Sequence, residues 1–126
     1  MPGFRPTYHM FVDRSVDGFP TYAVSISNTD PVYSNVFPVP GDGRIGFDLQ
    51  TTGTLAGTYT LWYSNDEAPS LADDTDWEQA TGWSPTNPAG SAIKDNYAVT
   101  DLKCRRWRVK FVPASGSGTL SGRANV

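Results

Sequence analysis

The sequence predicts an all-β fold, an antiparallel β-sandwich or jelly roll, on three observations. Short segments in which apolar and polar residues alternate recur at intervals of roughly ten residues, a spacing typical of sandwiches. Gly, Pro, Asn and Asp residues separate these segments and supply the chemistry of turns. No window of the length of a helix carries an apolar face at helical spacing, because Pro and Gly interrupt it.

Residues 1–20 are predicted to form an extended, Pro-rich N-terminal arm or an edge strand. The prolines of this segment prevent a helix, and aromatic residues are interspersed among them. Residues 21–126 then form a single sandwich domain, since a chain of 126 residues suffices for one core and is too short to suggest two. We expect that a chain lacking residues 1–15 still folds.

Within the domain, each predicted strand places apolar side chains at alternate positions. These side chains are Tyr22, Val24 and Ile26 in segment 21–27, Ile45, Phe47 and Leu49 in segment 44–50, and Tyr59, Leu61 and Tyr63 in segment 58–63. β-branched and aromatic residues dominate the last of these segments, as pleated surfaces favour. Residues 32–39 are expected to be extended, and shorter strands are predicted at 76–81 and 96–102.

The clearest alternation lies in segment 103–111, where apolar and cationic residues occupy opposite faces of the predicted strand. Trp107, Val109 and Phe111 share the face expected in the core. The cationic residues on the other face, which we expect to meet water or a partner, are Arg106, Arg108 and Lys110. A turn cluster at 113–118 and a weaker alternating segment at 119–126 predict that the chain folds back as a C-terminal β-hairpin.

Composition argues against several classes of function. A net charge of −3 and a pI near 4.9 argue against nucleic-acid binding, for which a basic excess supplies most of the affinity. Cys104 is the only cysteine, which excludes an intramolecular disulfide and a cysteine-ligated zinc site. The N-terminus lacks the apolar stretch of a signal peptide, and no apolar run is long enough to span a bilayer. We therefore expect no membrane association and a chain that stays in the cytoplasm until it assembles.

No catalytic or cofactor signature is present, and we assign no catalytic, cofactor-binding or metal-binding residue. His9 is the only histidine, so a catalytic triad would have to be built around it. Phosphate-binding and dinucleotide-binding loops are absent from the sequence. The acidic segment 66–78 has two interpretations that remain open: a Ca²⁺ site rich in carboxylate oxygens, or a solvated loop without a metal.

Charged and aromatic residues suggest where a partner binds. The acidic segment 66–78 of one protomer is complementary in charge to the cationic strand 103–111 of another protomer. The same strand is complementary in charge to an acidic face of a neighbouring protein. The alternative is a cationic face that is solvated and meets no partner. Trp62, Trp77 and Trp83 either stack on sugar rings, anchor a protein interface or pack over the end of the sandwich. The candidate partner-binding residues are Phe4, Tyr8, Phe11, Trp62, Trp77, Arg105, Arg106, Arg108 and Lys110.

Four features of the sequence together resemble a known group of proteins. The segment from Gly53 to Asp66, a strand ending in Ser-Asn-Asp, precedes a loop that carries Trp77. An arginine-rich strand, Arg105-Arg106-Trp107-Arg108-Val109, then precedes the segment Ser115-Gly116-Ser117-Gly118-Thr119-Leu120. In this pattern, which covers residues 44–126, the chain resembles small β-sandwich virion proteins of tailed bacteriophages.

The resemblance implies a non-enzymatic structural protein of the virion, of the capsid decoration or cement type. Such a protein lies on the outer capsid surface, bridges neighbouring subunits of the major capsid protein, and is often a dimer or trimer. The extended arm would then add to the sheet edge of a neighbour, so that a folded chain lacking residues 1–15 should no longer bind capsids. The alternatives are a tail-associated or host-recognition module that binds cell-surface carbohydrate through Trp62, Trp77 or Trp83, and an enzyme that acts on a polysaccharide through paired acids.

Overall fold

A computed structural model describes residues 7–15, 18–81, 83, 86–87 and 94–125 of the chain. Within these residues there are eleven strands and no helix, and the strands form two antiparallel sheets. The prediction of an all-β sandwich is therefore confirmed. None of the described residues belongs to a helix of the length and apolarity needed to cross a membrane.

The strands vary widely in length, and the four longest lie at the centres of the sheets, two in each. In chain order they are β1 (Thr7–His9), β2 (Val24–Ile26), β3 (Val32–Tyr33), β4 (Phe37–Pro38), β5 (Ile45–Thr51), β6 (Ala56–Ser64), β7 (Glu78–Gln79), β8 (Thr86–Asn87), β9 (Lys94–Val99), β10 (Arg106–Ser115) and β11 (Gly118–Asn125). The first sheet has the order β1-β11-β5-β9, with β2 also paired to β11. The second sheet has the order β3-β10-β6-β7, with β4 also paired to β10 and β8 to β6.

The core lies between the two sheets and is built from the apolar positions of the long strands. Phe47 and Leu49 of β5 meet Leu61 of β6 and Trp107 and Val109 of β10 there, and all five side chains are buried. The ring centroids of Phe47 and Trp107 are 5.3 Å apart, a separation at which aromatic rings attract each other beyond their burial. The alternation of apolar residues thus predicted the inner faces of β5, β6 and β10 correctly.

The predicted C-terminal hairpin is wrong, because β10 and β11 lie in different sheets. β10 pairs with β6 from Arg106↔Ser64 to Ser115↔Ala56, whereas β11 pairs with β5. The connection bends at Gly116, whose φ of 76° is a left-handed conformation that glycine adopts at little cost.

The connection between β5 and β6 crosses between the sheets beside this one. Thr52 donates its backbone N–H to the Thr119 carbonyl oxygen over 3.0 Å, and Thr54 donates to Ser117 over 2.9 Å. Two antiparallel strands therefore pass together from one sheet to the other. Segment 52–54, which leads from β5 to β6, thus pairs with segment 117–119, which leads from β10 to β11.

The N-terminal segment contributes directly to the sandwich. β1 is an edge strand of the first sheet, and the backbone N–H of Met10 donates to the Gly122 carbonyl oxygen over 2.8 Å. Met10 is 0% exposed and Phe11 is 1% exposed, so both side chains belong to the core. Removal of residues 1–15 would delete this strand and both core side chains, so this truncation should destabilise the fold as well as remove the arm. Residues 1–6 lie outside the described part of the chain.

Candidate functional site

The outer face of the second sheet carries a fully buried arginine. Arg108 points away from the core, as the alternation predicts, but the residue is 0% exposed because the loop between β6 and β7 folds over it. The Nη1 group donates to the carbonyl oxygens of Ser70 and Leu71 at 3.3 and 3.4 Å. The Nη2 group donates to the Asp73 carbonyl oxygen at 2.6 Å and to Asp74 Oδ1 at 3.3 Å. The expectation that Arg108 meets water or a partner is therefore wrong.

Two aromatic rings complete this Arg108 site. The central carbon of the guanidinium group lies 4.0 Å from the ring centroid of Tyr33 and 4.3 Å from that of Trp77. Trp77 is 8% exposed, and its indole N–H donates to the Ser70 carbonyl oxygen over 2.7 Å. Burial lowers the pKa of the Arg108 guanidinium, and the neighbouring Asp74 carboxylate opposes that shift. Arginine stays charged at neutral pH even so, which makes Arg108 a buried cation held by dipoles, rings and one carboxylate.

The acidic loop and the cationic strand meet within one chain. Lys110 Nζ lies 2.6 Å from Asp74 Oδ2, so Asp74 accepts hydrogen bonds from both Lys110 and Arg108. Arg105 and Glu67 form a further ion pair at 3.1 Å with both side chains exposed. The complementarity that the sequence suggests between protomers is thus satisfied, at these pairs, inside a single protomer.

The carboxylates of this loop also bind its own backbone. Asp76 Oδ2 accepts the backbone N–H of Ser70 at 2.9 Å, and Asp73 Oδ1 accepts that of Thr75 at 3.0 Å. The hydrogen bonds from Thr75 lower the pKa of Asp73. Across the described residues, no group of three or more His, Cys, Asp and Glu side chains is arranged to hold a metal ion.

An exposed apolar groove runs along one side of the sandwich, where the edge strands β1 and β4 lie. Its upper part, about 380 Å³ in volume, is lined by Tyr8, Val36, Phe37 and Pro38. Its lower part shares two of these residues and reaches the loop between β6 and β7 that covers Arg108, here called the Arg108 loop. The lining residues there are Val36, Pro38, Glu67, Ala68, Pro69, Leu71 and Arg106. Tyr8 is 51% exposed and Leu71 is 70% exposed, so the groove presents large apolar side chains to solvent. We call this surface the apolar groove.

The structure places the predicted partner-binding residues in three different settings. Tyr8 and Arg106 line the apolar groove, and Arg105 is exposed beside it. Phe11 lies in the core, which corrects its assignment to a partner surface. The remaining residues surround or form the Arg108 site: Trp62, Trp77, Arg108 and Lys110. Phe4 lies outside the described residues.

The tryptophans that were candidates for sugar stacking pack against the protein itself. Trp62 is half-buried, 5.3 Å from Lys110 Nζ, and its indole N–H donates to the Thr60 hydroxyl over 2.8 Å. Trp83 packs against Phe47 and Tyr97, with ring centroids 5.5 and 5.3 Å away. The alternative that places them over the sandwich as a minor core describes Trp77 and Trp83 best.

Sequence reasoning missed Tyr33 and most of the apolar groove. Tyr33 stands in a segment broken by prolines, and only its pairing with Lys110 across β3 and β10 brings it to the Arg108 site. Val36 and Leu71 are far apart in sequence and carry no periodic signal that would join them. Their proximity depends on how the Arg108 loop folds.

The residues with the most reactive side chains stand apart from these surfaces. His9 stacks on Tyr22 with ring centroids 4.1 Å apart, and Cys104 is half-buried, which raises the pKa of its thiol.

No model of a known protein family matches this chain, and no curated protein sequence matches it.

Proposed function

We propose that this chain is a non-enzymatic structural protein of a tailed-bacteriophage virion, a capsid decoration or cement protein that binds the outer shell and bridges subunits of the major capsid protein. The sequence resemblance over residues 44–126 suggests the class of protein. The observation that carries the proposal is the apolar groove, which leaves the large side chains of Tyr8 and Leu71 exposed to solvent.

The groove suits an extended segment of the major capsid protein. Most of its lining is apolar, and the charged residues in its lower part are Glu67 and Arg106. Glu67 is already paired with Arg105. An apolar segment that carries a carboxylate would fill the groove and pair with Arg106, which fixes its register. The strands that flank the groove, β1 and β4, are also sheet edges, to which an extended segment can add.

The Arg108 site gives the groove a rigid wall. Pro69 and Leu71 line the groove, and the carbonyl oxygens of Ser70 and Leu71 accept hydrogen bonds from Arg108. A loop that is already ordered loses little conformational entropy when a partner binds, so more of the contact energy appears as affinity. The buried arginine therefore serves the binding surface without touching the partner.

A protein that binds only the assembled lattice stabilises that lattice by mass action, because the bound state is favoured over the dissociated one. Bridging of two capsid subunits requires a second contact in addition to the groove. A dimer or trimer of this chain would supply it by presenting one groove to each subunit.

The first experiment is quantitative mass spectrometry of purified virions, with copies of this chain compared to copies of the major capsid protein. A ratio near one, or a simple fraction of one, is expected for a lattice-bound protein. A handful of copies per particle would instead favour the tail-associated alternative, and complete absence would overturn the virion assignment.

The second experiment measures binding of the purified protein to capsids that lack it, using the variant Leu71→Glu. Leu71 is 70% exposed, so the substitution leaves the fold intact while it places a carboxylate in the groove. We expect the affinity to fall by about tenfold or more. The matched control is Val112→Glu, since Val112 is also exposed, at 38%, but does not line the groove. Equal loss of binding in both variants would contradict the groove as the docking surface.

A further inference from the structure

The outer face of the first sheet contains a depression that the capsid proposal does not use. Gly46 of β5 lies directly opposite Ala98 of β9, so the two smallest side chains of this face are neighbours. The depression above Gly46 is about 350 Å³ in volume and open to solvent. The polar residues around it are Thr7, Asp48, Asn96, Arg123 and Asn125.

Hydrogen bonds within the sheet orient the polar groups of this depression. The Thr7 hydroxyl donates to Asn125 Oδ1 over 3.2 Å, which leaves the amide nitrogen of Asn125 directed at Gly46. The backbone N–H of Arg123 donates to Asp48 Oδ1 over 3.0 Å, and the Arg123 guanidinium lies 3.3 Å from Asp48 Oδ2. Asn96 pairs with Asp48 across β5 and β9 and is exposed. The rim therefore presents both donors and acceptors, and these bonds hold the groups of Asp48, Arg123 and Asn125 in place.

The charges of the rim cancel, and this restricts the class of ligand. The Asp48 side chain retains 15% exposure, so its carboxylate would repel an anion that approaches Arg123. Arg123, which is 53% exposed, would likewise repel a cation that approaches Asp48. Uncharged hydroxyl groups both donate and accept hydrogen bonds, and they match amide, carboxylate and guanidinium groups at once. The chemistry thus selects a neutral ligand rich in hydroxyl groups.

An aromatic ledge borders the same face. His9 pairs with Arg123 across β1 and β11, and the Tyr22 ring stacks on the His9 ring with an angle of 13° between their planes. Tyr22 remains 50% exposed. Aromatic rings present an apolar surface with a polar edge, which suits the apolar face of a sugar ring.

From this arrangement we infer that the depression over Gly46 is a binding site for a neutral saccharide. One sugar ring occupies the depression and bonds to Asp48, Asn96 and Asn125, and the next ring of an oligosaccharide lies against Tyr22. The inference does not rest on capsid binding, since the apolar groove shares no lining residue with this depression.

The test is a titration of isotope-labelled protein with neutral trisaccharides of glucose, galactose, mannose and N-acetylglucosamine, followed by NMR. We expect at least one of them to shift the amide signals of Gly46 and the side-chain amides of Asn96 and Asn125, with a dissociation constant on the order of millimolar. Absence of shifts with all four probes at high concentration would overturn the inference. Tighter binding of an acidic sugar such as galacturonic acid would also overturn it, because the charge argument would fail.

The variant Gly46→Val fills the depression without disturbing the fold. A Cβ at this position would lie 3.5 Å from Asn125 Nδ2 and 3.9 Å from the Tyr97 carbonyl oxygen, which are ordinary contacts. Valine also favours strands. We expect the dissociation constant to rise by about tenfold or more, and the Tyr22→Ala variant to weaken trisaccharides more than single sugars. Saccharide shifts that persist unchanged in Gly46→Val would place binding elsewhere.

The control variant is Gln50→Val, since Gln50 is exposed on the same face of the same strand but does not line the depression. It should bind saccharide as the wild type does. The groove variant Leu71→Glu should also bind saccharide normally, so a failure of capsid binding and a failure of saccharide binding can be told apart.

Discussion

The guanidinium group of Arg108 lies 4.3 Å from the ring centroid of Trp77, and both side chains are held by the same carbonyl oxygen, that of Ser70. A charge with no exposed surface is costly unless its donors are satisfied. The acidic loop accepts hydrogen bonds from both Nη groups, whereas Nε has no partner among the described residues, and in return the arginine fixes the loop. Because the loop forms a wall of the apolar groove, the order of this docking surface depends on one buried cation.

The first prediction concerns replacement of that cation. Arg108→Lys keeps the charge but loses the planar group that donates to Ser70, Leu71 and Asp73 and lies against two rings. We expect the free energy of unfolding to fall by about 3 kcal/mol, measured by urea denaturation. Arg105→Lys is the matched control, since Arg105 is exposed and its ion pair with Glu67 contributes about 0.5 kcal/mol or less. Equal stability of the two variants would contradict the anchoring role.

The local sequence pattern predicted which face of a strand is buried better than it predicted which strands pair. The alternation in segments 44–50 and 58–63 placed Phe47 and Leu61 in the core correctly, because a period of two is a property of each strand alone. The hairpin of β10 and β11 failed because alternation says which face is apolar and not which strand lies beside it. The choice of partner depends on where β5 and β6 lie, because β10 pairs with β6 and β11 pairs with β5.

The same limit explains the candidate site. The alternation placed Arg108 on the outer face of β10, which is correct, but its burial comes from a loop without periodicity. Likewise, Phe11 lies in a Pro-rich segment whose sequence is typical of an extended arm or an edge strand, yet its side chain packs in the core with Met10. Burial by a non-repeating segment depends on tertiary contacts that no local pattern encodes.

A second prediction tests the place where the chain passes between the sheets. Gly116 has a φ of 76°, and a Cβ there would collide with the Thr54 carbonyl oxygen. We expect Gly116→Ala to lower the free energy of unfolding by about 2 kcal/mol. Gly41→Ala is the control because nothing lies within 4 Å of a Cβ at that position and its φ is not positive. That variant should be neutral or slightly more stable.

A third prediction separates the core function of the N-terminal segment from its proposed role as an arm. Phe11→Ala should lower the free energy of unfolding by about 3 to 5 kcal/mol, because it leaves a cavity at a side chain that is 1% exposed. Phe19→Ala, at a residue that is 74% exposed, should change it by about 0.5 kcal/mol or less. Deletion of residues 1–6 alone then tests the arm in capsid binding, since it leaves β1 and the core in place. Similar stabilities for the two alanine variants would show that Phe11 does not pack as described.

A fourth prediction concerns the thiol of Cys104. Burial raises its pKa above the ordinary value of 9.0, so less of it is thiolate at any given pH. We expect alkylation by iodoacetamide at pH 8 to be slower in the folded protein than in urea-unfolded protein by about threefold or more. The pH at which the folded protein reaches half its maximal rate should also exceed 9.0. A midpoint at or below that of the unfolded chain would contradict the assignment.

The last prediction follows the pKa of Asp73 into acid. Hydrogen bonds from Thr75 hold this pKa below the ordinary value of 3.8, so the folded protein binds the proton less readily than the unfolded chain. The carboxylate therefore stabilises the fold above that value, and the contribution is lost as the pH falls through the folded-state pKa. We expect the difference in urea midpoint between wild type and Asp73→Asn to be constant above about pH 5 and to shrink toward zero in stronger acid. Since every other acid is common to both proteins, the difference isolates Asp73, and a difference that does not change with pH would contradict the role of its charge.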